Sequence, residues 1–200
     1  MKRRINKVAV IGSGIMGSGI ACHFANIGVE VLLLDIVPRE LNDKEKKQGL
    51  SLEDKSVRNR IVNESLQSAL KSKPSPIYHQ KFASRIQTGN LEDDISKVSE
   101  VDWIIEVVVE RLDIKKQVFE NLEKHRKPGT LITSNTSGIP IQQMNEGRSE
   151  DFRKHFCGTH FFNPPRYLRL FEIIPGPDTK PEVLEFLNEY GEKFLGKKSV

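Results

Sequence analysis

The residues best suited to chemistry lie in the last third of the chain, in the run GTHFFNPP at 158–165 and the apolar run after it. His160 has the most favourable setting of the five histidines, because it ends a predicted strand beside a proline turn. Glu172 lies on the next predicted strand, and the two residues face each other if the turn centres near Arg166. A carboxylate that hydrogen-bonds one imidazole nitrogen fixes the tautomer and raises the basicity of the ring. The pair indicates a general base for a hydroxyl proton; the alternative is a structural histidine near an unrelated acid.

Ser137 is a second candidate, because it follows a predicted strand in the run SNTSG. Its hydroxyl is suited to donate a hydrogen bond to a substrate oxygen. The alternative, at least as consistent with the sequence, is that Ser137 caps a helix before Ile139-Pro140. Among the other histidines, His155 lies beside basic residues and is predicted to be at the surface, and no chemistry is assigned to the remaining three.

The stretch 8–35 has the pattern of a dinucleotide-binding unit. An apolar run leads into Gly12, Gly14 and Gly17 in the spacing G-x-G-x-x-G, a helical run follows, and a second apolar run ends in Asp35. The first glycine permits a sharp turn, the second lets a pyrophosphate approach the backbone, and the third lets the helix pack on the sheet. The helix N terminus then attracts the phosphates.

Asp35 stands where such units discriminate between NAD and NADP, eighteen residues after Gly17. A carboxylate there accepts hydrogen bonds from the ribose hydroxyls and repels a 2′-phosphate. Arg39, four residues later, is the one feature that favours NADP. Because the acid occupies the discriminating position, the sequence predicts NAD as the cofactor.

The elements that must position these residues alternate along the chain. After Asp35, the sequence predicts an exposed polar segment (37–56), a helix (57–72), a strand (84–89), a strand (102–109), a helix (112–125) and a strand (131–134). Strands that alternate with helices predict a parallel, doubly wound sheet, whose ligands bind at the carboxyl ends of the strands.

The last third has a different pattern. The extended runs 156–162 and 168–174 are joined by a connection too short for a helical crossover, which predicts an antiparallel pair. A helix over 181–195 follows, and a further strand is expected to begin near Lys197. The predicted fold class is α/β, with a doubly wound, mostly parallel sheet and an antiparallel C-terminal strand pair.

The composition is that of an ordinary globular domain. The chain has 200 residues, of which 29% are charged, and a net charge of +4 that is too small and too interleaved with acids to indicate nucleic-acid binding. The sequence has no apolar run long enough to span a bilayer. Cys22 and Cys157 have no metal-ligand spacing and predict reduced thiols in a cytoplasmic protein.

The predicted helix over 57–72 carries a basic face. Its cations, with those that flank it, are Lys55, Arg58, Arg60, Lys71 and Lys73. A solvated face is the favoured interpretation, and contact with a phosphorylated ligand is the alternative.

Four motifs together resemble the NAD-binding, Rossmann-type domain of the L-3-hydroxyacyl-CoA dehydrogenases of fatty-acid β-oxidation: VAVIGSGIMGSGIA, IIEVVVERLDIKKQVF, SNTSGIPI and GTHFFNPP. The resemblance covers nearly the whole chain. It implies that His160 is the general base, that Glu172 pairs with it, and that Ser137 helps to hold the substrate oxygen. It also implies cofactor contacts at Gly12, Gly14, Ile15, Met16, Gly17, Asp35, Glu110, Lys115, Ser137 and Asn163.

The resemblance further implies oxidation of a 3-hydroxyacyl-CoA to a 3-ketoacyl-CoA, with NAD⁺ as the hydride acceptor and coenzyme A partly along the helix that includes Arg58 and Arg60. That family carries a second, helical domain with a further active-site asparagine and the dimer interface. Residues 1–200 are therefore expected to be the NAD-binding domain of a longer, homodimeric protein.

Two alternatives remain at this stage. One is a 3-hydroxyacid dehydrogenase of the 6-phosphogluconate type, against which HFFNPP argues. The other is a non-catalytic NAD-binding relative, against which the presence of Ser137, His160 and Glu172 argues.

Overall fold

An eight-stranded sheet with helices on both faces forms the frame of the protein, whose structure is a computed structural model that describes residues 3–200. The strands are β1 (Lys7–Ile11), β2 (Glu30–Asp35), β3 (Ile86–Asn90), β4 (Trp103–Glu106), β5 (Leu131–Ser134), β6 (Phe156–Phe161), β7 (Leu170–Pro175) and β8 (Lys198–Ser199). The helices are α1 (Ile15–Asn26), α2 (Asp43–Lys47), α3 (Lys55–Arg58), α4 (Arg60–Lys71), α5 (Leu112–His125), α6 (Ile141–Asn145), α7 (Glu150–Lys154) and α8 (Pro181–Lys193), with 3₁₀ turns at Gln80–Arg85 and Ile95–Glu100.

The strand order is β3-β2-β1-β4-β5-β6-β7-β8. Every neighbouring pair is parallel except β6 and β7, which run antiparallel. The predicted fold class is confirmed, including the antiparallel C-terminal pair and the short strand after Lys197.

Alternation along the central strands explains why both faces are covered. In β1, Val8 and Val10 join a cluster with Phe24 of α1, whereas Ala9 and Ile11 join the cluster of the opposite face. Since successive side chains of a strand point to opposite faces, a continuous apolar strand requires a helical layer on each side. No helix within residues 3–200 is long and apolar enough to cross a membrane.

Several predicted boundaries were wrong for identifiable local reasons. α1 begins at Ile15, so Gly17 lies inside its first turn rather than before it. β4 ends at Glu106 rather than at 109, because the Glu106 carboxylate accepts a hydrogen bond from the Val108 N–H and turns the chain. The helix predicted over 57–72 is divided at Asn59, whose side chain bonds to Asn90.

The polar segment 37–56 is mostly exposed, as predicted, but it contains α2, whose capping box joins Asn42 to Glu45, and Glu45 is buried. The prediction that His155 lies at the surface was wrong. His155 is buried as well, and its Nδ1 lies 2.7 Å from the Asp151 carbonyl oxygen. In both places a polar side chain is buried because it forms a hydrogen bond with a residue nearby in the sequence, which hydropathy alone does not reveal.

The close approach of α1 to the sheet depends on two glycines. Gly12 has a φ of 101°, and a Cβ on it would lie 2.7 Å from the Val107 carbonyl oxygen. A Cβ on Gly17 would overlap the carbonyl oxygen of Gly12, which is backbone and cannot move aside. By contrast, the position of a Cβ on Gly14 is open. The three glycines of one motif therefore have different structural roles.

We expect Gly17→Ala to destabilise the chain by about 1–3 kcal/mol or more, because the added methyl forces α1 away from β1. Gly14→Ala is the matched control and should change the free energy of unfolding by less than about 0.5 kcal/mol. Urea unfolding of both variants measures the difference. Equal stability of the two variants would contradict the packing role of Gly17.

Candidate active site

His160 and Glu172 face each other across the antiparallel pair of β6 and β7. The His160 Nδ1 lies 3.0 Å from the Glu172 Oε2, and their side chains are 20% and 39% exposed. The Phe162 ring packs beside the imidazole, with 4.4 Å between the ring centroids. The cross-strand placement predicted from the turn position is thus the one that the structure has.

This arrangement defines which imidazole nitrogen is available. Because Nδ1 faces a carboxylate, the contact favours the tautomer with the proton on Nδ1. The lone pair of Nε2 is then free, and Nε2 has no hydrogen-bond partner within residues 3–200. A partly exposed acceptor of this kind, oriented by a carboxylate, is suited to take a proton from a hydroxyl group.

Ser137 lies in the loop after β5, and the Glu110 carboxylate organises that loop. The Oε1 of Glu110 accepts hydrogen bonds from the Thr136 hydroxyl, from the Ser137 N–H at 3.1 Å and from the Gly138 N–H at 2.8 Å. Partial burial raises the pKa of Glu110, but these bonds and nearby Lys115 outweigh it and hold the pKa below its usual value. Glu110 is therefore an ionised carboxylate at the carboxyl edge of the sheet.

The helix-cap interpretation of Ser137 was wrong. The next helix, α6, begins at Ile141 after Pro140, and no side chain caps it. Thr136 accepts the hydrogen bond from the Ile139 N–H instead. Ser137 is exposed, and its hydroxyl has no hydrogen-bond partner within the described residues, so it is available to a ligand.

Lys115 is almost completely buried beneath this loop. Its Nζ donates to both carboxylate oxygens of Glu106, at 2.7 and 3.0 Å, and lies 3.5 Å from the Glu110 Oε2. Burial raises the pKa of Glu106, and the Lys115 ammonium opposes that shift. Lys115 thus anchors two acids at the end of β4.

The sequence places Asn135 at the carboxyl edge of the sheet but assigns no role to it or to Glu106. Glu106 was visible only as the polar residue in an apolar strand, and it also accepts a bond from the Ser134 hydroxyl. The Asn135 Oδ1 accepts a hydrogen bond from the Phe161 N–H at 2.8 Å, which ties the end of β5 to the residue after His160. The signal for Asn135 was its position directly after a predicted strand.

A cleft of about 640 Å³ lies between the glycine loop, α4 and the loop that joins β6 to β7. Gly14, Ile15 and Asn163 all line it, so the structure brings these three predicted cofactor residues together. Met16 and Gly17 follow in the first turn of α1, whose N terminus no side chain caps.

Asp35, the last residue of β2, is hydrogen-bonded to Ser13 of the glycine loop. Its Oδ2 accepts hydrogen bonds from the Ser13 N–H at 2.6 Å and the Ser13 hydroxyl at 2.5 Å, and its Oδ1 accepts one from the Ile36 N–H. Since each carboxylate oxygen can accept about two hydrogen bonds, Oδ1 retains one site for a ribose hydroxyl. Together with the open space at Gly14 and the uncapped helix, this arrangement fits NAD.

The basic residues around α4 are largely occupied by acids. The Arg58 guanidinium donates to Asp93 and Glu92 at 2.7–2.8 Å, and Arg60 pairs with Glu45. These ion pairs make a phosphorylated ligand at Arg58 or Arg60 less favourable. Among the basic residues on and beside this helix, Lys73 lines the cleft. Residues 3–200 contain no cluster of histidine, cysteine or acidic side chains arranged to hold a metal ion.

Comparisons with known proteins agree on one family. The family described as the NAD-binding domain of 3-hydroxyacyl-CoA dehydrogenase matches residues 7–200. A probable 3-hydroxyacyl-CoA dehydrogenase of Bacillus subtilis is 55% identical over 98% of this chain, which corresponds to 25% of that protein. A protein of the same name from Deinococcus radiodurans is 45% identical over 97% of this chain and 52% of its own length.

A solved structure supports the same assignment. The 3-hydroxybutyryl-CoA dehydrogenase of Escherichia coli K12 superposes with a TM-score of 0.72 and 30% identity, covering 99% of this chain and 38% of that one. This chain therefore spans a quarter of the length of the Bacillus subtilis relative and about half of the length of the Deinococcus radiodurans relative.

The buried ion pair generates a prediction about stability. Lys115→Met should cost about 3–5 kcal/mol, because it leaves the Glu106 charge buried without a partner. The control is Lys116→Met, which removes an exposed ion pair with Glu146 and should cost about 0–1 kcal/mol. Urea unfolding measures both. A second change, Glu106→Gln, should recover part of the loss in the Lys115→Met background; no recovery would argue against the ion pair as the cause.

Proposed function

The chain belongs to the 3-hydroxyacyl-CoA dehydrogenase family, whose NAD-binding domain it matches over residues 7–200, and we propose that it supplies the catalytic base of an enzyme that oxidises a 3-hydroxyacyl-CoA to a 3-ketoacyl-CoA in fatty-acid oxidation. The observation that carries this proposal is the contact between His160 and Glu172 at 3.0 Å. NAD is the cofactor of the matched domain. The family match favours this activity over that of a 3-hydroxyacid dehydrogenase of the 6-phosphogluconate type.

In the proposed reaction, His160 Nε2 removes the proton of the substrate hydroxyl while the carbon–hydrogen bond breaks. NAD⁺, when bound, supplies the acceptor for that hydride. Glu172 holds the Nδ1–H and stabilises the imidazolium that forms, so that the charge on His160 is balanced next to it. Ser137, with an exposed and unpaired hydroxyl, donates a hydrogen bond to the same substrate oxygen as it becomes a carbonyl.

The cofactor residues divide into those that contact it and those that support the contact. We assign the pyrophosphate to the glycine loop, with Ile15 and Met16 in the first turn of α1, and the adenosine ribose to Asp35. Asn163 and Glu110 complete the cofactor site on the loops after β6 and β4. Since Lys115 is buried against Glu106 and Glu110, its proposed role is to hold these acids rather than to bind cofactor directly.

The wider context follows from the longer relatives. We propose that residues 1–200 are the NAD-binding domain of a longer protein, that a helical domain completes the acyl-CoA cleft, and that this further domain forms a homodimer interface. The two buried cysteines pair with no other cysteine in the described chain, which supports a cytoplasmic location. The Escherichia coli relative is named for a four-carbon substrate, 3-hydroxybutyryl-CoA. We therefore choose the corresponding four-carbon ketone, acetoacetyl-CoA, as the first substrate to test.

His160→Ala should lower kcat for NADH oxidation with acetoacetyl-CoA by about 10²–10⁴-fold, because the proton then has no positioned base or acid. NADH binding, followed by its fluorescence, should change little, since the imidazole lies outside the glycine loop. Glu172→Gln should lower kcat less, because it keeps a partner for Nδ1 but removes the balancing charge.

The matched control is His125→Ala, which removes a half-buried imidazole at the end of α5. It should leave kcat unchanged. Full turnover in His160→Ala would overturn the base assignment. A wild-type protein that binds NADH but turns over no hydroxyacyl-CoA would favour the non-catalytic relative.

Gly14→Ala tests the cofactor site separately. Its Cβ meets no atom within 4 Å, so the fold should be kept, but the methyl stands where a pyrophosphate approaches the backbone. We expect NADH affinity to fall about tenfold or more, in keeping with the role of the second glycine. Fluorescence titration with NADH measures this, and unchanged affinity would contradict the assignment of the loop.

A further inference from the structure

Lys197 is a buried cation that the proposed mechanism does not use. It lies between α8 and β8, after Gly196, and its side chain reaches back beneath the loop that joins β6 to β7. Only 6% of the residue is exposed, and none of the carboxylates in residues 3–200 lies within ion-pair distance of it. Burial of an ammonium group is costly unless its N–H groups donate hydrogen bonds to nearby acceptors.

The partners of Lys197 belong to one loop. Its Nζ donates to the carbonyl oxygen of Pro165 and, at 2.5 Å, to that of Leu168. The same Nζ lies 5.9 Å from the centroid of the Phe161 ring, the neighbour of His160. Because neither of these carbonyl groups belongs to a sheet ladder, Lys197 satisfies two main-chain acceptors of the loop, of which Pro165 is buried and Leu168 is exposed.

The loop held by Lys197 also forms one wall of the cleft that Gly14 and Ile15 line. Asn163, Pro164 and Pro165 line the cleft opposite the glycine loop. Pro165 packs directly on α1, since a Cβ on Gly19 would lie 3.1 Å from its ring atoms. A displacement of the Pro165 carbonyl would therefore move the cleft wall that carries Asn163.

The Lys197 side chain keeps its charge although it is buried. Burial lowers the pKa of Lys197 to about 8, so the side chain is mostly protonated at pH 7. Burial, then Lys197, lower the pKa of His23 on α1 to about 4, so His23 is neutral and its Nε2 faces the Leu195 carbonyl at 3.0 Å. The cation is thus stabilised by carbonyl dipoles and a ring face.

We propose that Lys197 is a positioning residue for NAD, which sets the loop 162–169 by binding its Pro165 and Leu168 carbonyl groups and so fixes Asn163 against the glycine loop. The inference rests on the proposed function, because it takes Asn163 as a cofactor contact. It adds a residue from the segment between α8 and β8 to a site otherwise built from the end of β2 and from the segments after β1, β4, β5 and β6.

The test uses the full-length protein that contains this chain. Lys197→Met keeps the length of the side chain and removes the donors, and Lys197→Arg keeps the charge and several donors. Lys198→Met is the matched control, because that neighbouring lysine is exposed and pairs with Glu192. NADH dissociation constants from fluorescence, KM for NAD⁺ and for the acyl-CoA, kcat and thermal midpoints are measured for each.

We expect Lys197→Met to raise the dissociation constant for NADH and the KM for NAD⁺ about ten- to hundredfold, the size of loss that a misplaced contact produces. The KM for the acyl-CoA should change less, Lys197→Arg should restore most of the affinity, and Lys198→Met should match the wild type. The double variant Asn163→Ala/Lys197→Met should bind NADH no more weakly than whichever single variant has the lower NADH affinity. The losses should not add, because both changes remove the same contact.

Normal NADH affinity in a folded Lys197→Met variant would overturn the proposal, as would fully additive losses in the double variant. If Lys197→Met does not fold, Lys197→Gln decides, since its amide can still reach one carbonyl group. Weakened NADH binding in a folded Lys197→Gln variant supports the proposal, and normal binding or loss of folding there overturns it. Weakened NADH binding without any wild-type turnover would contradict the proposed function and leave the role of Lys197 standing.

Discussion

The backbone contact between Gly17 of α1 and the carbonyl group of Gly12 is the constraint on which the rest of the site depends. It seats α1 directly on the sheet, and other features then follow from the position of that helix. Its N terminus opens at Gly14 into the cleft, and Gly19 provides the surface on which Pro165 packs. A helix held farther away would separate the glycine loop from the loop after β6.

The change from parallel to antiparallel pairing between β6 and β7 has a chemical consequence. In the parallel part of the sheet, the proposed site residues lie at the carboxyl edge, at the end of β2 or in the segments after the strands. In the antiparallel pair, directly opposed residues have adjacent side chains, so an imidazole and a carboxylate meet within the strands themselves. His160 therefore has a partner in Glu172 that the strand pair holds in place.

Two buried lysines support this edge in different ways. Lys115 neutralises Glu106 and lies near Glu110, so that it fixes acids at the end of β4. Lys197 meets only carbonyl oxygens and an aromatic ring, so that it fixes main chain rather than charge. Burial of a cation is energetically costly in either setting. Lys197 holds a loop that lines the cleft, whereas Lys115 holds acids at the end of β4.

The sequence by itself determined the class of fold, the glycine loop, the acid at the end of β2 and the pairing of His160 with Glu172. These depend on short-range patterns: apolar alternation, glycine spacing and the length of one turn. It did not determine that β4 stops at Glu106, that Thr136 rather than Ser137 receives the Ile139 N–H, or that His155 is buried. Nor could it show that Lys197 lies beneath the loop 162–169. Those outcomes depend on which group satisfies each polar atom. That group is near in the sequence for Glu106, Thr136 and His155 and distant for Lys197. Which polar atoms are buried, and so need a partner, is decided only when the helices and the C-terminal segment pack against the sheet.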